Sequence, residues 1–310
     1  METVTLSQFK NVVQLLEYFQ DDTTCKNFLA HQRWGGQVCC PHCGNAGKIW
    51  TTNRGYRCTE CDKKFSVTTG TFYENTKIKL KYWFAAIYLL SAHKKGISSL
   101  QLHRDLGISQ KSTWFMLMRI RAAMSETYPE KLKNTVECDE VFIGGKNKNR
   151  HANKRVEGSQ GRSTKDKTPV IGMVERGGKI RAFKIPNTQM ESIQPCIEEH
   201  IEEGAKVMTD EWHGYNKVHE KYDHTFVNHK AHQYVVNDTH TNTVEGFWSL
   251  LKRGIIGIYH FTSAKHLNRY CDEFSYRYNS RDITDCDRFC NLLAKSNGRL
   301  TYEHLVHGNG

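Results

Sequence analysis

No run of this sequence approaches the ~20 uninterrupted apolar residues that a membrane-spanning helix requires. Prolines are scarce, 5 in 310 residues, and no tandem repeat is evident, which excludes collagen-like and mucin-like chains. Met1 to Lys10 carries Glu2 and no basic lead into an apolar run, so no secretory signal is expected and a soluble cytoplasmic protein is. Acidic residues are in deficit, 33 Asp+Glu against 44 Lys+Arg for a net charge of +11, a common footprint of nucleic-acid binding. What is present is ordinary for a globular protein: 38% hydrophobic, 25% charged and 11% aromatic residues. At this length they suffice for two or three domains with a sizeable core and exclude a wholly disordered chain. Eleven cysteines without a leader point to reduced thiols and metal ligation rather than a disulfide framework.

The positive charge is concentrated. Residues 1–130 hold 17 Lys+Arg against 10 Asp+Glu, a net of +7. Between 146 and 167 stand Lys146, Lys148, Arg150, Lys154, Arg155, Arg162, Lys165 and Lys167 against only Glu157 and Asp166. That stretch is nearly devoid of apolar side chains and is expected to be a mobile loop, either a solvated linker or an arm that neutralises phosphates.

Cys40-Pro-His-Cys43 and Cys58-Thr-Glu-Cys61 form two C-x-x-C pairs, each able to grip one edge of a tetrahedral ion. Short strands around Ile49–Thr52 and Arg57, joined through Asn53-Arg54-Gly55, complete a zinc ribbon, with Gly44 at the tight knuckle. Spacing selects Cys40 over Cys39, and His42 is a lesser alternative. Four protein ligands leave no open position, so this zinc is structural.

Downstream, Leu80–His93 reads as an apolar helix ended by Lys94-Lys95-Gly96. Ser98-Ser99 caps a second helix to Leu106, and after Gly107 Ser109 caps a third, from Gln110 to about Met124. Two short helices across a glycine-containing turn suit a helix-turn-helix, with Gln110, Lys111, Ser112 and Thr113 opening the recognition helix. The plainer reading is a helical hairpin that only packs against a neighbour. Residues 5–30 read as a small core-facing helical element.

From Thr135 the pattern changes to strand 136–143, a hairpin (169–175 and 179–185), a helix near 191–203, strand 205–209, a strand-like piece at 225–228 and a helix from about 240 to 252. That order fits a ribonuclease-H-like α/β domain. Asp139 lies mid-strand, Asp210 at a strand end and Glu245 early in the later helix, so the three can converge at one sheet edge. Clustered carboxylates call for a hard cation, Mg²⁺ or Mn²⁺, and two such ions support in-line phosphoryl transfer. Lys252, two helical turns from Glu245, shares its face and can hold a phosphate. Alternation turns Glu137, Glu140 and Glu211 away or leaves them behind the ligands, and His213 and His240 can approach.

Taken in order, CPHC…CTEC, HKKGISSLQLHRDLG (93–107), VECDEVFIGG (136–145), TDEWHGY (209–215) and HTNTVEGFWSLLKRGIIGIYH (240–260) resemble a bacterial insertion-sequence transposase of the zinc-ribbon DDE type, the ISXO-like group related to eukaryotic Merlin transposons. The likeness spans about residues 25 to 281. It implies metal-dependent cleavage at transposon ends followed by strand transfer, with Asp139 and Asp210 at the first two acidic positions. Part of that family carries Asn at the third position, and Asn242 stands three residues before Glu245 on the same helical face. Glu brings negative charge and bidentate reach where Asn offers only a neutral carbonyl oxygen; the 34 residues between Asp210 and Glu245 and the spacing from Glu245 to Lys252 favour Glu245, with Asn242 left open. Glu273, Arg277 and Arg281 resemble a further motif.

The expected organisation is a helical element at 1–35, a zinc ribbon at 36–70, a helix-turn-helix domain at 71–130, a catalytic domain at 131–285 containing the basic loop 146–168, and a tail at 286–310. Expected DNA contacts are the 110–113 quartet with Lys146, Lys148, Arg150, Lys154, Arg155, Lys252, Arg253 and Arg277. The substrates are the terminal inverted repeats and target duplex, held by a dimer or larger assembly on the nucleoid. The alternatives are a transposase-derived DNA-binding regulator with a vestigial nuclease domain, and a nuclease that cuts without joining.

Overall fold

A computed structural model describes residues 9–126, 130–145, 147–159, 161, 163–228, 235–236 and 238–307. Among the described residues no helix is long and apolar enough to cross a membrane. The chain divides into two compact units, one from residues 9–124 and 282–307, the other from 125–281.

The first unit opens with α1 (Val12–Tyr18) and α2 (Asp22–Trp34). Asn11 and Asp21 cap them through their side chains, and left-handed Gly35 ends the second. The 5–30 element is thus two helices, and its residues 5–8 lie outside the described residues. The ribbon follows, with β1 (Ile49–Thr52), β2 (Gly55–Cys58) and β3 (Lys64–Phe65) in antiparallel order. Gly55 has φ +138, and a Cβ there would lie 2.5 Å from the Phe65 carbonyl oxygen, so only glycine fits the turn.

Next come α3 (Leu80–Ala92), α4 (Ser99–Leu106) and α5 (Gln110–Met124). The Ser98 hydroxyl caps α4, Gly107 ends it in the left-handed conformation, and three residues turn the chain into α5. α3 buries most of its circumference, including Trp83, Phe84, Ile87 and Leu90. Phe84 meets Phe19 edge-on at 4.8 Å and Phe289 at 5.8 Å.

Phe289 corrects one expectation. The segment after 285 is not a tail: it forms α9 (Asp285–Ala294), capped by Thr284, and α10 (Tyr302–His307). Phe289, Leu292 and Leu293 are fully buried at helical spacing, so this apolar stripe closes the core of the N-terminal unit.

The second unit is a five-stranded mixed sheet with helices on both faces. Its strands are β4 (Thr135–Ile143), β5 (Thr168–Glu175), β6 (Ile180–Lys184), β7 (Lys206–Asp210) and β8 (Asp223–Val227), in spatial order β6-β5-β4-β7-β8. β5 runs antiparallel to both β4 and β6, while β4, β7 and β8 are parallel. One face packs Val136, Cys138, Met173 and Val207 against Ile193 and Ile197 of α6 (Met190–His200). The other packs Val141, Val170 and Ile180 against α7 (Asn242–Gly254) and α8 (Leu267–Asn279) through Val244, Phe247, Leu251 and Phe274. α7 runs on into a π-helical turn, Ile255–Tyr259.

The basic loop between β4 and β5 has local structure in its described residues. It contains two short helical turns, 147–149 and 152–154. Asn147 braces it by donating to the Val156 carbonyl at 2.7 Å and accepting from the Val156 N–H at 3.0 Å. Short polar side chains satisfy its backbone in place of a core. Lys146 and Arg162 lie outside the described residues.

Candidate active site and cysteine cluster

Strand alternation along β4 sorts the site. Even positions 136 and 138 enter the α6 core, so Glu137 and Asp139 share the face covered by α7. Asp139 is paired across the sheet with Gly172. A Cβ on Gly172 would fall 2.5 Å from the Trp248 ring. The missing side chain therefore makes room for Trp248, whose Nε1–H donates to Asp139 Oδ2 at 2.9 Å. Asp210 ends β7, two strand positions beyond the last residue of β7 paired with β4, and is buried. Its Oδ1 accepts the Trp212 N–H at 2.9 Å. Glu245 lies in the first turn of α7, accepting from Thr241 Oγ1 at 3.0 Å.

Electrostatics tie these three acids together. Burial pushes the Asp139 carboxyl up from its ordinary 3.8 to about 6. The charges of Asp210 and Glu245 add to that rise, against hydrogen bonds from the Glu140 backbone and the Trp248 indole. A carboxyl held among further negative charges is the kind of group a hard cation neutralises, and all-oxygen donors fit Mg²⁺ or Mn²⁺. Among the described residues, the group of acidic, histidine or cysteine side chains whose ligand atoms already converge as an ion would need is the cysteine quartet.

Glu137 is the residue that sequence reasoning undervalued. It has 0% exposed surface and sits two positions before Asp139, on the same side, not turned away. Its Oε2 accepts the backbone N–H groups of Thr243 and Val244 at 2.7 and 3.2 Å. Its Oε1 accepts from Thr243 Oγ1 at 2.8 Å and Arg176 Nε at 2.7 Å, with His240 Nδ1 3.2 Å away. The period-2 rule alone would have placed it. Alternation does turn Glu140 away, toward the buried Tyr215, whose hydroxyl pKa rises through burial first and the Glu140 charge second.

In the ribbon, the sulfurs of Cys40, Cys43, Cys58 and Cys61 all lie within 4.8 Å of one another. Cys40 and Cys61 approach to 3.7 Å, Cys43 and Cys58 to 3.6 Å. Left-handed Gly44, at φ +77, forms the expected knuckle, its N–H reaching the Cys40 carbonyl at 2.9 Å. The Cys61 backbone N–H draws the Cys58 thiol down to about 7, readying a thiolate for metal. Cys39 lies outside the quartet, its Sγ 3.1 Å from the Gly44 carbonyl. This donor set and spacing fit a structural zinc.

The expected DNA contacts divide. Gln110 and Lys111 are exposed at the start of α5, Gln110 Nε2 reaching Ser99 Oγ at 2.9 Å and Lys111 lying over the Tyr302 ring. Ser112 accepts from Ser109 at the cap. Thr113 is buried, its hydroxyl within 3.0 Å of the Ser99 carbonyl, so it fastens α5 to α4 and is no surface contact. Lys148, Lys154 and Arg155 are exposed and Arg150 half-buried, its guanidinium 3.8 Å from Asp166. Lys252 and Arg253 are exposed near the end of α7. Arg277 is a correction. At 9% exposure it pairs with the fully buried Glu273, which also accepts from Tyr259 Oη, and it lies over the Phe274 ring. A guanidinium held by a buried carboxylate serves the α8 core, not a phosphate. His213 meets Gln189, and Asn242 is exposed, its backbone N–H 3.4 Å from His240 Nδ1.

Comparison with known proteins places both the sheet unit and the ribbon in known families. Residues 131–279 match the ISXO2-like transposase domain, and residues 20–64 match the transposase zinc-ribbon domain. An uncharacterized protein in transposable element ISH50 of Halobacterium salinarum is 30% identical over 251 residues, covering 77% of this chain and 84% of its own. A chain in a simian T-cell lymphotropic virus intasome structure, in complex with a PP2A regulatory subunit, matches at 10% identity. That match covers 60% of this chain and 66% of the other, and its TM-score of 0.28 is too low to carry an argument.

Proposed function

Because the chain belongs to the ISXO2-like transposases of insertion sequences, we propose that it binds the terminal inverted repeats of its element and performs metal-dependent DNA cleavage and strand transfer. The observation that carries this reading is the convergence of Asp139, Asp210 and Glu245, brought from mid-strand, a strand end and a helix start, with the charges of the latter two acting on the Asp139 carboxyl.

The sheet order, with its second strand antiparallel and two crossovers to parallel strands, supports a ribonuclease-H-like domain. In this reading Asp139 and Asp210 hold Mg²⁺ or Mn²⁺ from the sheet and Glu245 completes the set from α7. Bound there, such ions supply the activation of a water or 3′ hydroxyl and steady the leaving oxygen. Trp248 holds the Asp139 carboxylate in one orientation through its indole N–H. Exposed Lys252 and Arg253 beyond Glu245, and Lys148, Lys154 and Arg155 of the β4–β5 loop, hold the DNA backbone by charge. The α4–turn–α5 pair presents Gln110 and Lys111 as a helix-turn-helix reads a major groove, beside a zinc-stiffened ribbon. Two ends must be joined in one reaction, so the working form is a dimer or larger assembly on nucleoid DNA.

The test is strand transfer of a labelled, pre-cut element end into plasmid with Mg²⁺ or Mn²⁺. Wild type joins. Asp139→Ala and Glu245→Ala bind the end without joining, and Asn242→Ala still joins. Loss at Asn242 with Glu245 dispensable moves the third ligand by one helical turn. A folded wild type that binds ends and joins nothing under either metal replaces the enzyme with a DNA-binding regulator.

A further inference from the structure

We infer that Glu137 is a positioning residue that sets the place of Glu245 by fastening the first turn of α7 to β4, an inference that rests on the metal-site reading above. Four unsatisfied backbone N–H groups open every α-helix, and a nearby side chain usually takes one of them. Thr241, at the cap position of α7, makes no capping hydrogen bond and gives its hydroxyl to Glu245 instead. The cap comes from another strand: Glu137 accepts two first-turn N–H groups and the Thr243 hydroxyl. A carboxylate at the positive end of a helix is favoured by the aligned peptide dipoles as well.

Such a carboxylate, without exposed surface, is costly to bury unless it is paired. Arg176 pairs it through Nε at 2.7 Å, and its other nitrogens reach Asp238 Oδ1 and the Asp238 carbonyl at 3.0 Å and the His240 carbonyl at 3.3 Å. One guanidinium thus ties the strand carboxylate to the chain entering α7. Two residues from Glu137 stands Asp139, and two residues after Thr243 stands Glu245. The distance between two of the candidate ligands is therefore set through Glu137, by hydrogen bonds that need no ion. This is how a helix carrying one acid is held beside a strand carrying another although their charges repel.

The experiment is Mn²⁺ titration of the full-length, zinc-loaded protein without DNA, followed by electron paramagnetic resonance. Groups that orient metal ligands typically change metal affinity ~10–100-fold when altered, and Glu137→Gln is expected to weaken Mn²⁺ by that order. Thr243→Val, which removes only the hydroxyl contact, is expected to weaken it less. If Glu137→Gln fails to fold, Thr243→Val decides alone. In a Glu245→Ala background the Glu137→Gln effect should vanish, because its route through Glu245 is gone. Wild-type Mn²⁺ affinity in the folded variants, or an undiminished loss in the Glu245→Ala background, overturns the inference. Wild type that binds no Mn²⁺ removes the metal site and this role with it. Wild type that binds Mn²⁺ but joins no DNA refutes transposition alone, and the affinity ratios still judge Glu137.

Discussion

Replacing Asp139 by Asn should make the zinc-loaded protein, free of other divalent ions, more stable while abolishing its chemistry. The carboxyl sits at about 6 in the folded chain against an ordinary 3.8, chiefly through burial and then through Asp210. A folded value above the unfolded one means that the ionised form is disfavoured by folding. The penalty is therefore fully present above about pH 6 and fades as the pH falls toward 4. The rise from 3.8 to about 6 corresponds to about 3 kcal/mol at pH 8. Because Asp139 is only half-buried, solvent screening makes about 2–3 kcal/mol the sensible range. Asn carries no such charge, and its carbonyl can still accept the Trp248 indole N–H that Asp139 accepts at 2.9 Å. For a domain of this size, about 2–3 kcal/mol raises the melting temperature by about 5–10 °C. Thermal melts of wild type and Asp139→Asn, with zinc retained and no other divalent ion, should show that gap at pH 8. About half of it should remain at pH 5 and little at pH 4. Magnesium should then narrow the gap at pH 8 by stabilising wild type only. Equal melting temperatures at pH 8, or a gap that ignores pH, would refute the account of a strained acidic cluster.

Three other changes test other parts of the structure. Gly172→Ala puts a methyl group where the Trp248 ring lies; it should displace the indole, cost about 1–3 kcal/mol by overpacking and reduce joining, as melts and strand-transfer assays would report. Cys58→Ser should lose the bound zinc, measured by metal content, and with it end binding, while the sheet unit retains its own melting transition. Arg277→Ala leaves the carboxylate of Glu273 buried beside Tyr259 and should destabilise by about 3–5 kcal/mol; a phosphate contact would instead leave stability unchanged and flatten the salt dependence of DNA binding.

Much of this protein was determined by near neighbours in the sequence. The C-x-x-C pairs and Gly44 specify a metal knuckle within a few residues, because ligand geometry there is a matter of one turn. Leu80, Trp83, Phe84, Ile87 and Leu90 recur at helical spacing, and the α4–α5 turn announces itself through Ser98 and Gly107. Asp139 and Asp210 were legible as strand-borne acids, since a strand presents every second side chain to one face. What only tertiary structure decided depends on partners far away in the chain. Phe289 reads as part of a tail until α9 is laid against Phe84, some two hundred residues earlier. Arg277 reads as a cation for DNA until Glu273 and Phe274 are seen to bury it. Gly172 has meaning only once Trp248 lies above it. Glu137 is an ordinary strand residue until β4 meets the first turn of α7, more than a hundred positions later. Local spacing sets which side chains face together, but whether a charged group is solvated, paired or holding a helix in place is set by what folds over it.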